Sequence, residues 1–479
     1  MLIRNFFIWV GICAGLVPAC CAHADNGDLF DSAANRKAVK QQFAQRREQY
    51  RDDPDIMVRP GLLADRKEQV IRIQGEATGM NAYDPLEFIL ISEKSGHDYE
   101  AFAFSYARPL AIHNALKFIG LEPGRPVNYQ QRQMWPKGER VDVFVAWDTG
   151  TPVRIRAEQL VRNTRTGKTL PEDGFCFTGS VWVDDESGTG RLYAADAYDP
   201  RCIISDYNEP LTVLDVPRKV VDSEVYGYRK LNVDYVLPPA CPLEFIFQPR
   251  YKDGLSRTVD LTLSAAPRKN TPGHTLGQMT FTLTDNTGES LLRGDHLRNL
   301  LAAFGRMTGR GMDPFVVVVP NADLPLAGVH TLYRFLSELD TGRGIRIEPP
   351  ARGHLYYKAF LPNEQFRRRE DRPSQPLELR LYSNDTSVTG MLYTIEQHWN
   401  DEDLTATLDI TPIAIPSQDA LAQYLADLEE EVPVMLVFAP EDMAYGALLS
   451  YIRPMIDTSA TLYVFLPEEP PPEDPVPMK

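Results

Sequence analysis

Val141-Asp142-Val143-Phe144-Val145 puts three valines on one side of an extended chain, with Asp142 and Phe144 on the other. That period of two is the signature of a strand with a deeply apolar face. Similar runs surround it: Val70-Ile71-Arg72-Ile73, Leu86-Glu87-Phe88-Ile89-Leu90-Ile91, Phe102-Ala103-Phe104 and Val153-Arg154-Ile155-Arg156, separated by Gly, Pro, Asn and Asp. One helix interrupts them. Pro109 suits a first helical turn, Ile112, Ala115, Leu116 and Ile119 recur at i, i+3, i+4 and i+7, and Gly120 ends the pattern. Residues 68–252 therefore read as a mainly β domain with a packed helix. Ahead of it, residues 25–67 contain a Lys-, Arg- and Gln-rich stretch, Ala33–Tyr50, with few apolar residues, which reads as a solvated helix or mobile arm.

Beyond residue 257 the pattern changes, and four elements recur in one order. Leu297, Leu300, Leu301 and Phe304 mark a helix. The strand-like Asp313–Pro320 follows, then a helix with Val329, Leu332, Tyr333 and Leu336, then the run Tyr357–Pro362. The echo is Leu421, Tyr424, Leu425 and Leu428, then Pro433–Pro440, then Leu448, Tyr451, Ile452 and Met455, then Tyr463–Pro467. The spacing predicts an internal duplication, with one copy over 257–364 and another over 376–469. Between them, Asn363–Pro376 carries Arg367-Arg368-Arg369 among acids and prolines, the composition of a solvated linker. Residues 470–479 form an acidic, Pro-rich tail. The fold class expected is α+β: a mainly β N-terminal domain with a packed helix, then two duplicated small α/β lobes.

The first 24 residues suggest export. Arg4 precedes the apolar run Phe6–Val17, and Ala22-His23-Ala24 offers a small-x-small cleavage site. The apolar run is short of the roughly 20 residues of a membrane span, and no later stretch is long enough, so no transmembrane segment is expected after cleavage. Val17-Pro18-Ala19-Cys20 offers the alternative of lipidation at Cys20. The destination expected is periplasmic or secreted, with lipid anchoring as the alternative. Cleavage would move the formal net charge of −16 to −17, a balance that repels phosphate backbones and argues against a nucleic-acid partner. It would leave Cys176, Cys202 and Cys241. A hairpin predicted between Thr178–Val183 and Arg191–Ala195 would bring Cys176 near Cys202, so these two are the expected disulfide and Cys241 the spare thiol.

Leu86-Glu87-Phe88, Gly96-His97-Asp98-Tyr99-Glu100-Ala101-Phe102, Ile112-His113-Asn114-Ala115-Leu116 with Gly120-Leu121-Glu122-Pro123-Gly124, Phe177-Thr178-Gly179-Ser180 and Asp215-Val216-Pro217 together resemble the YdjY domain of bacterial exported proteins. The resemblance spans roughly residues 68–250. That family usually has His-Glu where this chain has Tyr99-Glu100, and it implies no settled biochemical role. Each C-terminal copy resembles the periplasmic domain of the ExbD/TolR family in its order of elements, with Asn321-Ala322-Asp323 and Glu441-Asp442-Met443-Ala444-Tyr445-Gly446 as the matching loops. The chain lacks the membrane helix whose aspartate serves energy transduction there, so the resemblance implies a fold and an interaction role, not a motor.

For chemistry, His97, Glu100 and His113 are the metal or acid–base candidates, because two imidazoles and a carboxylate could converge where a strand meets the helix. The bland alternative is that Glu100 and His113 only satisfy hydrogen bonds. Gly167-Lys168-Thr169 lacks the upstream glycine of a phosphate loop and Gly188-Thr189-Gly190 lacks a third glycine, so both read as turns. No cofactor is expected. These features predict a non-enzymatic protein that binds a protein partner or small ligand in the envelope. The rival is a metal-binding protein or metal-dependent enzyme centred on His97, Glu100 and His113.

Overall fold

The computed structural model describes residues 30–185, 188, 190–340, 344–350, 353–361, 377–383, 387–400, 405–428, 434–456, 458 and 461–466. The segment expected to direct export, with Cys20, the expected linker with Arg367–Arg369 and the acidic tail lie outside the described residues. The fold mixes α and β structure around a closed barrel. Among the described residues no helix is long and apolar enough to cross a membrane.

Helix α1 (Ser32–Gln49) opens the described chain, with Asp31 accepting from the Ala33 N–H as its N-cap. Only Val39 is buried, so polar contacts fix the helix. Ser32, Asn35 and the Tyr106 hydroxyl all donate to the buried Glu76 carboxylate, Asn35 also reaches Ala240 O at 2.8 Å, and Gln74 bonds Gln42 at 2.7 Å. The polar stretch read as a solvated helix or mobile arm is therefore a helix clamped to the barrel wall.

Eight strands form the barrel: β1 (Val70–Ala77), β2 (Phe88–Ser92), β3 (Ala101–Ser105), β4 (Arg140–Asp148), β5 (Phe175–Phe177), β6 (Cys202–Ser205), β7 (Leu214–Asp215) and β8 (Pro242–Pro249). Their order around the ring is β1-β8-β4-β5-β7-β6-β2-β3, and β3 pairs back onto β1. The β7–β6 and β2–β3 junctions are parallel and the rest antiparallel. Alternation does its expected work in β4, where Val141, Val143, Val145 and Trp147 are buried. Helix α2 (Pro109–Phe118) lays Ile112, Ala115 and Leu116 on that core, and Gly120 leaves the helix at φ +99°, a conformation suited to glycine.

The cysteine expectation needs correcting. A hairpin does form, Trp182–Asp184 against Arg191–Tyr193, but it does not join the cysteines. Cys176 lies on β5 and Cys202 on β6, with β7 between them. Two strand spacings are about 9.5 Å, whereas disulfide Cα atoms lie within about 7 Å. All three thiols are free and buried, and burial pushes Cys176 up to about 12, Cys241 up to about 11 and Cys202 well above the usual range. Thiol titration of the native protein should therefore find none of these three reactive, and all three after denaturation under non-reducing conditions. One thiol recovered would restore the disulfide.

Two sheets follow the barrel. The first comprises β9 (Thr258–Pro267), β10 (Met279–Asp285), β11 (Asp313–Pro320) and β12 (Arg346–Ile347), in the order β10-β9-β11-β12, with α3 (Leu297–Gly309) and α4 (Leu326–Leu339) between strands. The second comprises β13 (Leu377–Ser383), β14 (Val388–Asn400), β15 (Thr405–Ile415), β16 (Val434–Phe438) and β17 (Thr461–Phe465). Its order is β15-β14-β13-β16-β17, with α5 (Gln418–Ala426) and α6 (Tyr445–Tyr451) on its connections. In each sheet a hairpin's first strand lies parallel to the strand after the helix. The run Tyr357–Pro362 is not the final strand of the first unit: Tyr357–Phe360 is a 3-10 turn. Its burial does not alternate, as Tyr356, Tyr357, Ala359 and Phe360 are buried around a half-buried Lys358, and Tyr333 anchors Leu355 O at 3.1 Å.

The two sheets share one apolar core, and their loops pair reciprocally. Leu326 N donates to Met443 O at 2.9 Å and Ala327 N to Glu441 O at 2.8 Å. In return Tyr445 N donates to Leu324 O at 2.9 Å and Gly446 N to Ala322 O at 2.8 Å. A Cβ on Gly446 would lie 2.8 Å from that of Ala322, so the approach requires glycine.

The barrel meets the first sheet through charge. Asp313 accepts Arg140 Nε at 3.0 Å and Nη2 at 2.8 Å and pairs with Arg346 Nη2 at 2.9 Å. Arg125 pairs with Glu348, Lys137 with Asp260, and Trp135 Nε1 donates to Asp340 at 2.8 Å.

Candidate functional site

Gly96, at φ +84°, turns the chain into His97, which caps a 3-10 turn over Asp98–Glu100. Residues i and i+3 of such a turn share a face, so the local fold sets the two side chains together: His97 Nδ1 lies 2.5 Å from Glu100 Oε1. The other ring nitrogen, Nε2, lies 2.8 Å from Asp199 Oδ2. Phe88 meets the ring edge-on and Tyr99 stacks on it, each with centroids 5.8 Å apart. Burial works against the imidazolium, but the bonds to Glu100 and Asp199 outweigh it and raise the His97 pKa.

His113 is elsewhere. It lies buried on α2 with Nδ1 3.1 Å from the Tyr193 hydroxyl, which in turn donates to Gly179 O at 3.0 Å, and its ring packs edge-on against Phe177 and Tyr193. Burial, then the charge of Lys117, lowers its pKa, so it is a neutral packing histidine. The expected trio of His97, Glu100 and His113 is thus not brought together; α2 points its histidine into the core because position 113 falls beside Ile112 and Leu116 on the buried face. Among the described residues no group of three His, Cys, Asp or Glu side chains is placed to hold a metal ion.

What gathers around His97 and Glu100 instead is a set of carboxylates that sequence reading did not single out. Backbone bonds tie their segments: Glu87 N to Glu100 O at 3.0 Å, Asp206 N to Glu87 O at 3.1 Å and Leu86 N to Arg229 O at 3.1 Å. Asp206 is 1% exposed, and neither carboxylate oxygen accepts a hydrogen bond; Arg229 Nη1 stands 3.6 Å from Oδ2. Burial pushes its carboxyl up to about 8 despite Arg229, with Glu87 and Asp222 adding to the rise. Burial, then Glu100 and Asp222, pushes Glu87 up to about 7. Asp222 is also raised, by burial and then by Glu100, and its Oδ1 is buried without a partner. Glu209 is raised by burial while accepting the Tyr207 hydroxyl and the Leu211 N–H, each at 3.1 Å. Asp199 and Asp206 lie in loops on either side of β6 and Asp222 begins the short helix Asp222–Val225, and no spacing links them to His97. The one available signal was Glu87, an acid immediately ahead of a continuous apolar strand.

Such a site can hold protons near neutrality and can answer positive charge. His97 with both nitrogens engaged is a hydrogen-bond donor to carboxylates on both sides.

Residues 62–219 match the YdjY domain. That span covers seven of the eight ring strands and every carboxylate of the cluster except Asp222, and it ends before Arg229 and β8. No curated protein matches the chain.

Proposed function

We propose that this chain is an exported protein of the cell envelope, periplasmic or secreted, that acts as a non-enzymatic binding protein. Its YdjY-like barrel would be the ligand-facing part, and its C-terminal portion two copies of an ExbD/TolR-like unit that dock on each other and hold the barrel. The observation that carries the binding reading is the state of His97. A metal ligand or general base needs a lone pair on an imidazole nitrogen. Both nitrogens of His97 face carboxylates, at 2.5 and 2.8 Å, and its pKa is raised, which favours the imidazolium. The rival reading of a metal centre or metal-dependent enzyme on His97, Glu100 and His113 therefore loses its first imidazole to ion pairing and its second to the core.

The duplicated arrangement of the C-terminal part is supported by the order of four strands in each sheet, to which the second sheet adds β15 at its edge, and by the reciprocal bonds between residues 322–327 and 441–446. Export is supported by the Arg4, Phe6–Val17 and Ala22-His23-Ala24 pattern.

Two measurements test the proposal. Elemental analysis of the purified full chain should find no stoichiometric zinc, iron or manganese; one equivalent, lost on His97→Ala, would restore the metal reading. A photo-crosslinker at Tyr99, in cells, should give a discrete adduct in the envelope fraction, and a cytoplasmic location for the protein would overturn the export reading.

A further inference from the structure

Where the chain after the first sheet meets the helices of the second, it leaves an open cleft of about 510 Å³, walled by Gly353 and His354 on one side and by Gln418, Leu449, Ser450 and Arg453 on the other. The fold holds these walls in place. Leu355 N donates to the Tyr445 hydroxyl at 3.1 Å, and the ring of His354 tilts over that of Tyr445 with centroids 6.0 Å apart, so the segment from Gly353 is fixed against α6. Gly353 has φ +85°, and a Cβ there would stand 3.2 Å from Arg453 Nη1. The bare turn is what lets the guanidinium lie against it. A guanidinium, an imidazole, a hydroxyl and an amide thus reach one opening from three stretches of chain, and among the described residues no carboxylate lines it. A guanidinium carries its charge at any working pH. Burial, then the charge of Arg453, lowers the His354 pKa and keeps the imidazole neutral, so the cleft presents one positive charge. His354 Nδ1 is buried without a hydrogen-bond partner, which leaves Nε2 to meet what enters.

We propose that this cleft binds a carboxylate group, which pairs with Arg453 and accepts hydrogen bonds from His354, Ser450 and Gln418. The site lies apart from the barrel, so it goes beyond the binding reading above and is tested separately from it. A guanidinium fork matches the two oxygens of a carboxylate, and the neutral imidazole, the hydroxyl and the amide each bring a donor. One positive charge answers one negative charge. A phosphate monoester, with a charge of about −1.5 to −2 at neutrality, would need the imidazolium that burial and Arg453 oppose. The volume is that of a small-ligand site, within the roughly 300–1,000 Å³ such sites span, and larger than a single ion requires. The carboxylate can come from a free organic acid or from the chain end of a peptide, and the chemistry at Arg453 is the same.

The test is calorimetric titration of the purified full chain at matched pH and ionic strength. The probes are sodium lactate, an acetylated alanyl-alanyl-leucine tripeptide with a free carboxyl end, the same tripeptide amidated, and sodium phosphate, each carried to tens of millimolar. A carboxylate should bind and the amide should not. Lactate binding at least as tightly as the tripeptide assigns a free organic acid, and tighter binding of the tripeptide assigns a peptide chain end. Arg453→Gln should weaken the bound carboxylate on the order of tenfold. Arg453→Lys, which keeps the charge without the fork, should fall between the two and carries the test if the glutamine variant does not fold. Arg310→Gln, at the exposed arginine that closes α3, should leave the affinity unchanged. Matching circular dichroism and melting of the variants confirms that the fold is intact. No binding by either carboxylate, equal binding of the amide, tighter binding of phosphate than of either carboxylate, or an affinity unchanged by both substitutions at Arg453 would overturn the assignment. Any of these would leave the barrel's binding reading standing, because no residue of the cleft belongs to the barrel.

Discussion

Asp313→Ala is expected to cost about 3–5 kcal/mol of stability and to divide the unfolding of the chain into two transitions. Asp313 is held from the barrel side by Arg140 and from its own sheet by Arg346, and the three side chains are 16%, 11% and 6% exposed. Deleting the carboxylate leaves two guanidinium groups facing each other with little water to screen them. The cost of leaving buried charges uncompensated exceeds the modest net worth of the intact pairs. Urea denaturation followed by Trp135 fluorescence should show the interface parting before the barrel core melts. Asp260→Ala is the comparison: Lys137 pairs with a half-exposed Asp260, so its removal should cost under about 1 kcal/mol. Equal effects in the two variants would mean that the barrel and the first sheet are held by apolar contact instead.

The second large effect concerns pH. An unfolded chain releases the Asp206 proton near the ordinary value of 3.8, but the fold holds it up to about 8, because burial opposes the charge more than Arg229 supports it. Between those values the folded state binds the extra proton, so stability falls as pH rises. Asp206→Asn removes that decline. The variant should match the parent near pH 4 and gain on it by up to about 1.4 kcal/mol for each pH unit towards pH 8. Arg229 keeps the Asp206 main-chain oxygen as an acceptor in the variant. Glu87, pushed up to about 7 by burial and then by Glu100 and Asp222, contributes a decline of the same sign that survives the substitution. The slope should therefore lessen without vanishing. Denaturant midpoints at pH 5 and pH 8 decide it: curves that stay parallel would show that Asp206 is ionised in the fold.

Strand-forming alternation was legible because burial on one face leaves a local record, and Val141, Val143 and Val145 all point into the barrel. Helix α2 was equally legible, since Pro109, its apolar spacing and Gly120 are all local signals. Closure of the ring was not, because nothing near Ala103 announces that its strand returns to Ala77. The same reason hid most of the site. His97 and Glu100 are three residues apart and could be paired by eye, whereas Asp199, Asp206, Asp222 and Arg229 reach them by topology alone. His113 misled because its placement depends on which face of α2 is buried, and a histidine among Ile112, Ala115 and Leu116 carries the signature of packing as well as that of chemistry. Cys176 and Cys202 misled in a related way: the hairpin between them was visible, but the insertion of β7 between their strands was not.

The reciprocal loop bonds also set an order of events during synthesis. Residues 322–327 leave the ribosome well before residues 441–446 exist, so Leu326 N, Ala327 N and the carbonyls of Ala322 and Leu324 must stay hydrated, or be shielded by other means, until the second sheet is made. Contacts that close so late in the chain form slowly. Completion of the C-terminal half is therefore the step at which a stalled or truncated chain exposes unpaired backbone and the shared apolar core together, and chaperones and proteases would meet it first in that state.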